Sequence, residues 1–124
     1  MGSVKAAVFC HAPWEPEGRE MERELSRQLE LLEEGCKKRG IEVVARYFHV
    51  GQTGLNPKGS VMLDMLRAAK RGDFEWIVVE NFGKFPRCPQ QDIPPLCLYS
   101  IREGRQKRVG KSRSRLFFGA PGLP

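Results

Sequence analysis

Long apolar runs are scarce in this 124-residue chain, none exceeding a few residues. No segment approaches the roughly 20 apolar residues that a membrane-spanning helix needs. The first residues also lack the charged start and apolar middle of a secretory leader, so a cytoplasmic, non-membrane protein is expected. Histidine occurs only twice, and no pair among Cys10, Cys36, Cys88 and Cys97 is separated by two residues. That spacing argues against a zinc framework, so reduced, packed thiols with no metal and no cofactor are expected. Internal repeats and low-complexity tracts are absent, which excludes a solenoid. Acids are missing from one place in particular. Between Arg102 and Arg115, Glu103 stands alone against Arg102, Arg105, Lys107, Arg108, Lys111, Arg113 and Arg115, a local charge of +6 that equals the net charge of the chain.

What is present fits one small α/β domain over 1–118 with a flexible tail at 119–124. Ala6 to Phe9 reads as a buried strand that ends at His11-Ala12-Pro13. Met21, Leu25, Leu29, Leu32 and Cys36 recur at helical spacing inside a charged segment, predicting a helix over 19–39 closed by Gly40. Ile41–Phe48 is rich in β-branched and aromatic residues and reads as a second strand. Gly51 to Gly59 is a loop, and Ser60 caps a second helix to about Arg71 through Met62, Met65, Leu66 and Ala69. A third strand centres on Trp76-Ile77-Val78-Val79. Beyond the prolines at 86, 89, 94 and 95, the pattern suggests a third helix near Pro95 and a fourth strand at Leu116-Phe117-Phe118. Strand, helix, strand, helix, strand calls for right-handed crossovers. The fold class expected is therefore α/β: a three-layer, flavodoxin-like, mainly parallel sheet of about four strands flanked by helices.

Three stretches carry a family resemblance. Arg27-Gln28-Leu29 followed by Lys38-Arg39-Gly40-Ile41-Glu42-Val43-Val44 resembles a helix-to-strand passage of the resolvase/invertase-type serine recombinases. Gly51-Gln52-Thr53-Gly54-Leu55-Asn56 is similar to their "G-x-S-G" loop, and Gly72-Asp73-Phe74 follows the second helix as theirs does. Trp76-Ile77-Val78-Val79 leads into Gly83-Lys84-Phe85-Pro86-Arg87, where that family carries "D-R-L-S-R". The match runs from about Val4 to Arg87 in order and spacing. It implies the resolvase-like catalytic fold, DNA as partner and strand exchange as the ancestral activity.

The chemistry of that family needs a serine hydroxyl to attack a phosphodiester and arginines to neutralise the charge building on phosphorus. Its first strand ends in "Y-x-R-x-S"; here the positions read Phe9-Cys10-His11-Ala12-Pro13. His11 takes the arginine position and Pro13 the nucleophile position. The loop acid aligns with His49, and the second-helix arginine falls on Gly59 or Ser60, with Lys58 the nearest cation. No catalytic residue is carried over, and a resolvase-like pseudoenzyme is expected. Phosphate contacts are expected at Lys84, Arg87, Arg105, Lys107, Arg108, Lys111, Arg113 and Arg115. The same basic block also fits a merely solubilising face. Cys10 could be a substitute thiol but reads better as a packed one, because His11 next to it points to the opposite face. His11 and His49 follow neighbouring strands and could meet, without a third metal ligand. Two other classes stay open: a protein-interaction module that has lost DNA, and a different small α/β enzyme using the same sheet edge. A homodimer is compatible with all of these, and no small-molecule substrate is indicated.

Overall fold

The computed structural model describes residues 4–13, 17–51, 60–85 and 93–110. The order of elements is β1 (Val4–Ala12), α1 (Arg19–Lys38), β2 (Ile41–Val50), α2 (Ser60–Arg71), β3 (Trp76–Val79), a short 3-10 turn (Phe82–Lys84), β4 (Leu96–Ser100) and β5 (Arg105–Val109). The sheet order is β2-β1-β3-β4-β5. β1 pairs in parallel with β2 and β3, β3 pairs in parallel with β4, and β5 closes the edge antiparallel to β4. The expected mainly parallel α/β sheet is present, with five described strands rather than about four.

Each layer follows from local chemistry. β1 is apolar on both faces, with Ala6 to Cys10 fully buried, as a central parallel strand must be. Its Ala7 and Phe9 join the core beneath α2, with Met65, Ile77, Val79 and Leu98. Its Ala6, Val8 and Cys10 join the core beneath α1, with Leu32, Cys36 and Val78. α1 carries Glu20 and Glu22 in its first turn and Lys37 and Lys38 in its last, both complementing the helix dipole. Gly40, at φ 70°, makes the left-handed turn that lets the chain re-enter the sheet. No helix among the described residues is long and apolar enough to cross a membrane.

Two expectations change. The segment after Pro95 is not a helix: Leu96–Ser100 is β4, alternating buried and half-buried residues with period two. Part of the basic block is a strand as well, since Arg105–Val109 forms β5 with only Val109 buried. The expected strand at Leu116–Phe118, the expected Gly51–Gly59 loop beyond Gly51 and the tail lie outside the described residues. So do Lys58, Pro86, Arg87, Cys88, Lys111, Arg113 and Arg115.

Candidate functional site at the carboxyl edge of the sheet

Open α/β sheets place their ligand sites where the carboxyl ends of the strands meet the loops. Here that edge is built from the ends of β1, β2 and β3, the first half of α1 and the turn after β4. His11 and His49 are register partners on β1 and β2. Their rings stack with centroids 5.3 Å apart, and the Phe9 ring also stacks with His49 at 6.1 Å. His11 Nε2 lies 2.6 Å from the Gly51 carbonyl, which can only accept, so this nitrogen carries the proton. His49 Nδ1 is buried without a hydrogen-bond partner. Burial, reinforced by the neighbouring His11, lowers the pKa of His49 below the ordinary imidazole value. The two histidines therefore form a packed pair that anchors the start of the following loop. No group of three metal-ligating side chains occurs among the described residues.

Gln28 of α1 fastens the helix to this edge. Although polar, it is fully buried. Its Oε1 accepts from the His11 backbone N–H at 2.9 Å, and its Nε2 donates to the His11 carbonyl at 2.6 Å and to Glu24 at 2.8 Å. The amide thus completes the backbone of β1 where no strand can.

Charged groups gather beside it. Glu80, at the end of β3, has a side chain only 4% exposed. It accepts from Arg27 Nη1 and Nη2 at 3.2 and 3.0 Å and from Arg102 Nε at 2.8 Å. Arg27 also donates to both oxygens of Glu24, at 3.0 and 2.6 Å. Lys84 Nζ stands 3.7 Å from Glu24. The Arg27 hydrogen bond pulls the Glu24 carboxyl down to about 2. Burial works to raise Glu80, but the hydrogen bonds from Arg27 and Arg102 outweigh it and hold its pKa below the usual carboxylate range. The cations at this edge are thus engaged by the chain's own carboxylates.

Nucleophile chemistry is poorly served by the described residues of this edge. Pro13 follows β1 directly, exposed and without a hydroxyl. Burial pushes the Cys10 thiol up to about 12, so at neutral pH it is an unionised packed thiol. Ser100 is buried, donating to the Glu80 carbonyl and accepting from the Glu103 N–H.

The basic residues of 102–110 part company. Arg102 turns inward to Glu80. Arg105 and Lys107 lie over the Phe82 ring, at 5.0 and 4.6 Å from its centroid, with their charges still exposed. Arg108 points to the other face of β5 and is exposed. Lys84 sits about 24% exposed at the carboxyl edge, in the same 3-10 turn as Phe82.

The architecture has clear counterparts among solved structures. The N-terminal catalytic domain of TP901-1 integrase superposes with a TM-score of 0.63 at 13% identity, over 93% of this chain and 88% of that one. A resolvase family site-specific recombinase from Streptococcus pneumoniae gives 0.63 at 15% identity, over 94% and 82%. The catalytic domain of ISC1926 TnpA, an IS607-like serine recombinase, gives 0.57 at 17% identity over 68% of this chain. The chain has the fold of a serine recombinase catalytic domain. It spans 56% of the ISC1926 domain's length. No protein-family model matches the sequence, and no curated protein matches it.

Within the recombinase fold, His11 and Pro13 fall at the end of the first strand, where the motif resemblance placed arginine and nucleophile. Sequence reading missed Gln28, Glu24, Arg27, Glu80 and Arg102 as a connected group. The signal was present for Gln28, a polar residue on the apolar stripe between Leu25 and Leu32, and for Glu80, an acid closing a four-residue apolar strand.

Proposed function

We propose that this chain is a non-catalytic, resolvase-like module of recombinase ancestry that works in the cytoplasm on DNA as an accessory, not as a cutting enzyme. The observation that carries the reading is the end of β1. A recombinase-type sheet there presents Pro13 and His11, so the end of β1 itself offers neither a hydroxyl to attack phosphorus nor an arginine to steady it. Proline cannot be rescued by a nearby base, because it has no proton to give up.

DNA contact in this reading is electrostatic. Arg105, Lys107 and Arg108 on β5, continued by Lys111, Arg113 and Arg115, meet phosphates without reading bases. Lys84 at the carboxyl edge is a smaller contact, and Arg87, outside the described residues, is expected to be another. The fold kinship supplies the partner class, and the exposed cations of an edge strand supply the surface. The test is incubation with supercoiled DNA bearing recombinase-type sites, followed by denaturing electrophoresis and a binding titration on duplex DNA. Binding without nicking and without a covalent protein–DNA adduct is expected. A phosphoserine adduct would overturn the non-catalytic reading, and absence of binding at low salt would overturn the DNA reading.

A second reading is a protein-interaction module without DNA. It is favoured by the inward use of part of the basic segment, with Arg102 on Glu80 and Arg105 and Lys107 on Phe82. It expects no DNA binding at any moderate salt.

A further inference from the structure

β5 divides its side chains between the two faces of the sheet. Leu98 is paired with Lys107 and Ser100 with Arg105, whereas Tyr99 is paired with Gln106 and Cys97 with Arg108. Paired residues point to the same side, so Gln106 and Arg108 share a face with Cys97 and Tyr99. That is the α1 side, because Trp76 and Tyr99 pack at the margin of the core beneath α1. α1 itself lies mainly over β1 and β2. Trp76, Cys97 and Tyr99 are accordingly only half-buried, and Gln106 and Arg108 are exposed. The Trp76 and Tyr99 rings stack across adjacent strands, with centroids 5.6 Å apart and planes inclined by 22°. From the end of α1, Arg39 donates through Nε to the Tyr99 hydroxyl at 2.9 Å, and its exposed guanidinium lies 5.6 Å from the ring centroid. Arg108 stands on the β5 side, next to Cys97. Glu80, the acid where this face meets the carboxyl edge, is already held by Arg27 and Arg102.

We propose that the Trp76–Tyr99 platform takes unstacked bases of single-stranded DNA, with Arg39 and Arg108 on the phosphates to either side. The inference rests on the DNA reading and adds a strand preference to it. Two stacked aromatic rings give a surface that any base can meet, and cations along its margins neutralise the backbone. An apolar protein partner fits this face poorly. The exposed large hydrophobic side chains of the described residues, Val44, Phe48 and Val50, all lie on β2 at the opposite edge of the sheet. Around the two rings the exposed groups are instead Arg39, Gln106 and Arg108. An acidic peptide would satisfy the arginines and leave the rings without a partner, whereas a nucleotide strand meets both. Duplex DNA keeps its bases paired and stacked, so it reaches the cations but not the rings.

Fluorescence titration of the full chain carrying Trp14→Phe, which leaves Trp76 as its one tryptophan, tests the proposal. The probes are a short oligothymidylate and a duplex of equal length. The oligothymidylate quenches Trp76 emission, and the duplex binds without changing it. This readout needs no substitution at the platform. Adding Tyr99→Leu lowers affinity for the oligothymidylate by about tenfold or more and leaves duplex affinity unchanged. The loss is the same at every salt concentration, because stacking releases no counterion. Tyr99→Phe keeps the ring and binds the oligothymidylate as the parent does. Duplex binding without quenching by the single strand, or an equal loss on both DNAs in Tyr99→Leu, overturns the platform and leaves the phosphate contacts of β5 standing. Binding of neither DNA at low salt overturns the DNA reading itself, and the platform with it.

Discussion

Gln28 shows how much one side chain can hold at this edge. Its amide satisfies both backbone groups of His11, so replacing it leaves a buried N–H and a buried carbonyl without partners. Gln28→Leu keeps the volume and removes the hydrogen bonds. It should lower the unfolding free energy by about 2–4 kcal/mol, read from urea denaturation, given about 1–3 kcal/mol for each buried group left unpaired. Little or no loss would mean that water or another side chain reaches His11. The acid response also belongs at this scale. The pKa of His49 is lower in the fold than in the unfolded chain, so the unfolded chain takes up the proton first. Its contribution is complete above about pH 6.5 and declines as the pH falls below that value. Glu24, drawn down to about 2, and Glu80, held below its usual range, add a second loss that begins as the pH drops through about 4.5. Unfolding midpoints followed from pH 8 to 3 should fall in two steps, and His49→Phe should remove the first. A single step unaffected by that substitution would contradict the assignment.

At the scale of elements, Glu80 joins three of them: α1 through Arg27, β3 through its own backbone, and the β4–β5 turn through Arg102. Glu80→Gln should cost about 1–3 kcal/mol, discounted because Arg27 and Arg102 are about half exposed. Amide exchange should quicken in the β4–β5 hairpin before it does in β1, because the hairpin loses Arg102 as an anchor. Uniform exchange would show that the network does not hold the hairpin. The elements also differ in how openly the sequence announces them. β1, α1, β2, α2 and β3 each carry a full period of apolar residues and stand where that period predicts. β4 is only five residues long behind two prolines, too short for its alternation to be told from a helical side. β5 has no apolar pattern, because an edge strand exposed on both faces needs none, and only Val109 reaches the core. The charge cluster was hidden for a different reason. Glu24, Arg27, Glu80 and Arg102 are brought together by the crossovers, and spacing along the chain does not encode that.

For the whole molecule, the order of elements from β1 to β3 and the recombinase-type sheet were legible. The distribution of the basic charge was not. It reads as one block in sequence, yet in the fold Arg102 serves Glu80 while Arg105, Lys107 and Arg108 line an exposed edge. The central proposal is that this edge contacts DNA phosphates. A binding titration on duplex DNA across salt concentrations tests it most directly. Each phosphate contact contributes about 0.9 to the slope of log affinity against log salt. Replacing Lys107, Arg108, Lys111 and Arg113 with glutamine should flatten that slope by roughly three units or more if all four touch phosphates. The same slope in parent and variant, or no binding by either at low salt, would contradict the account.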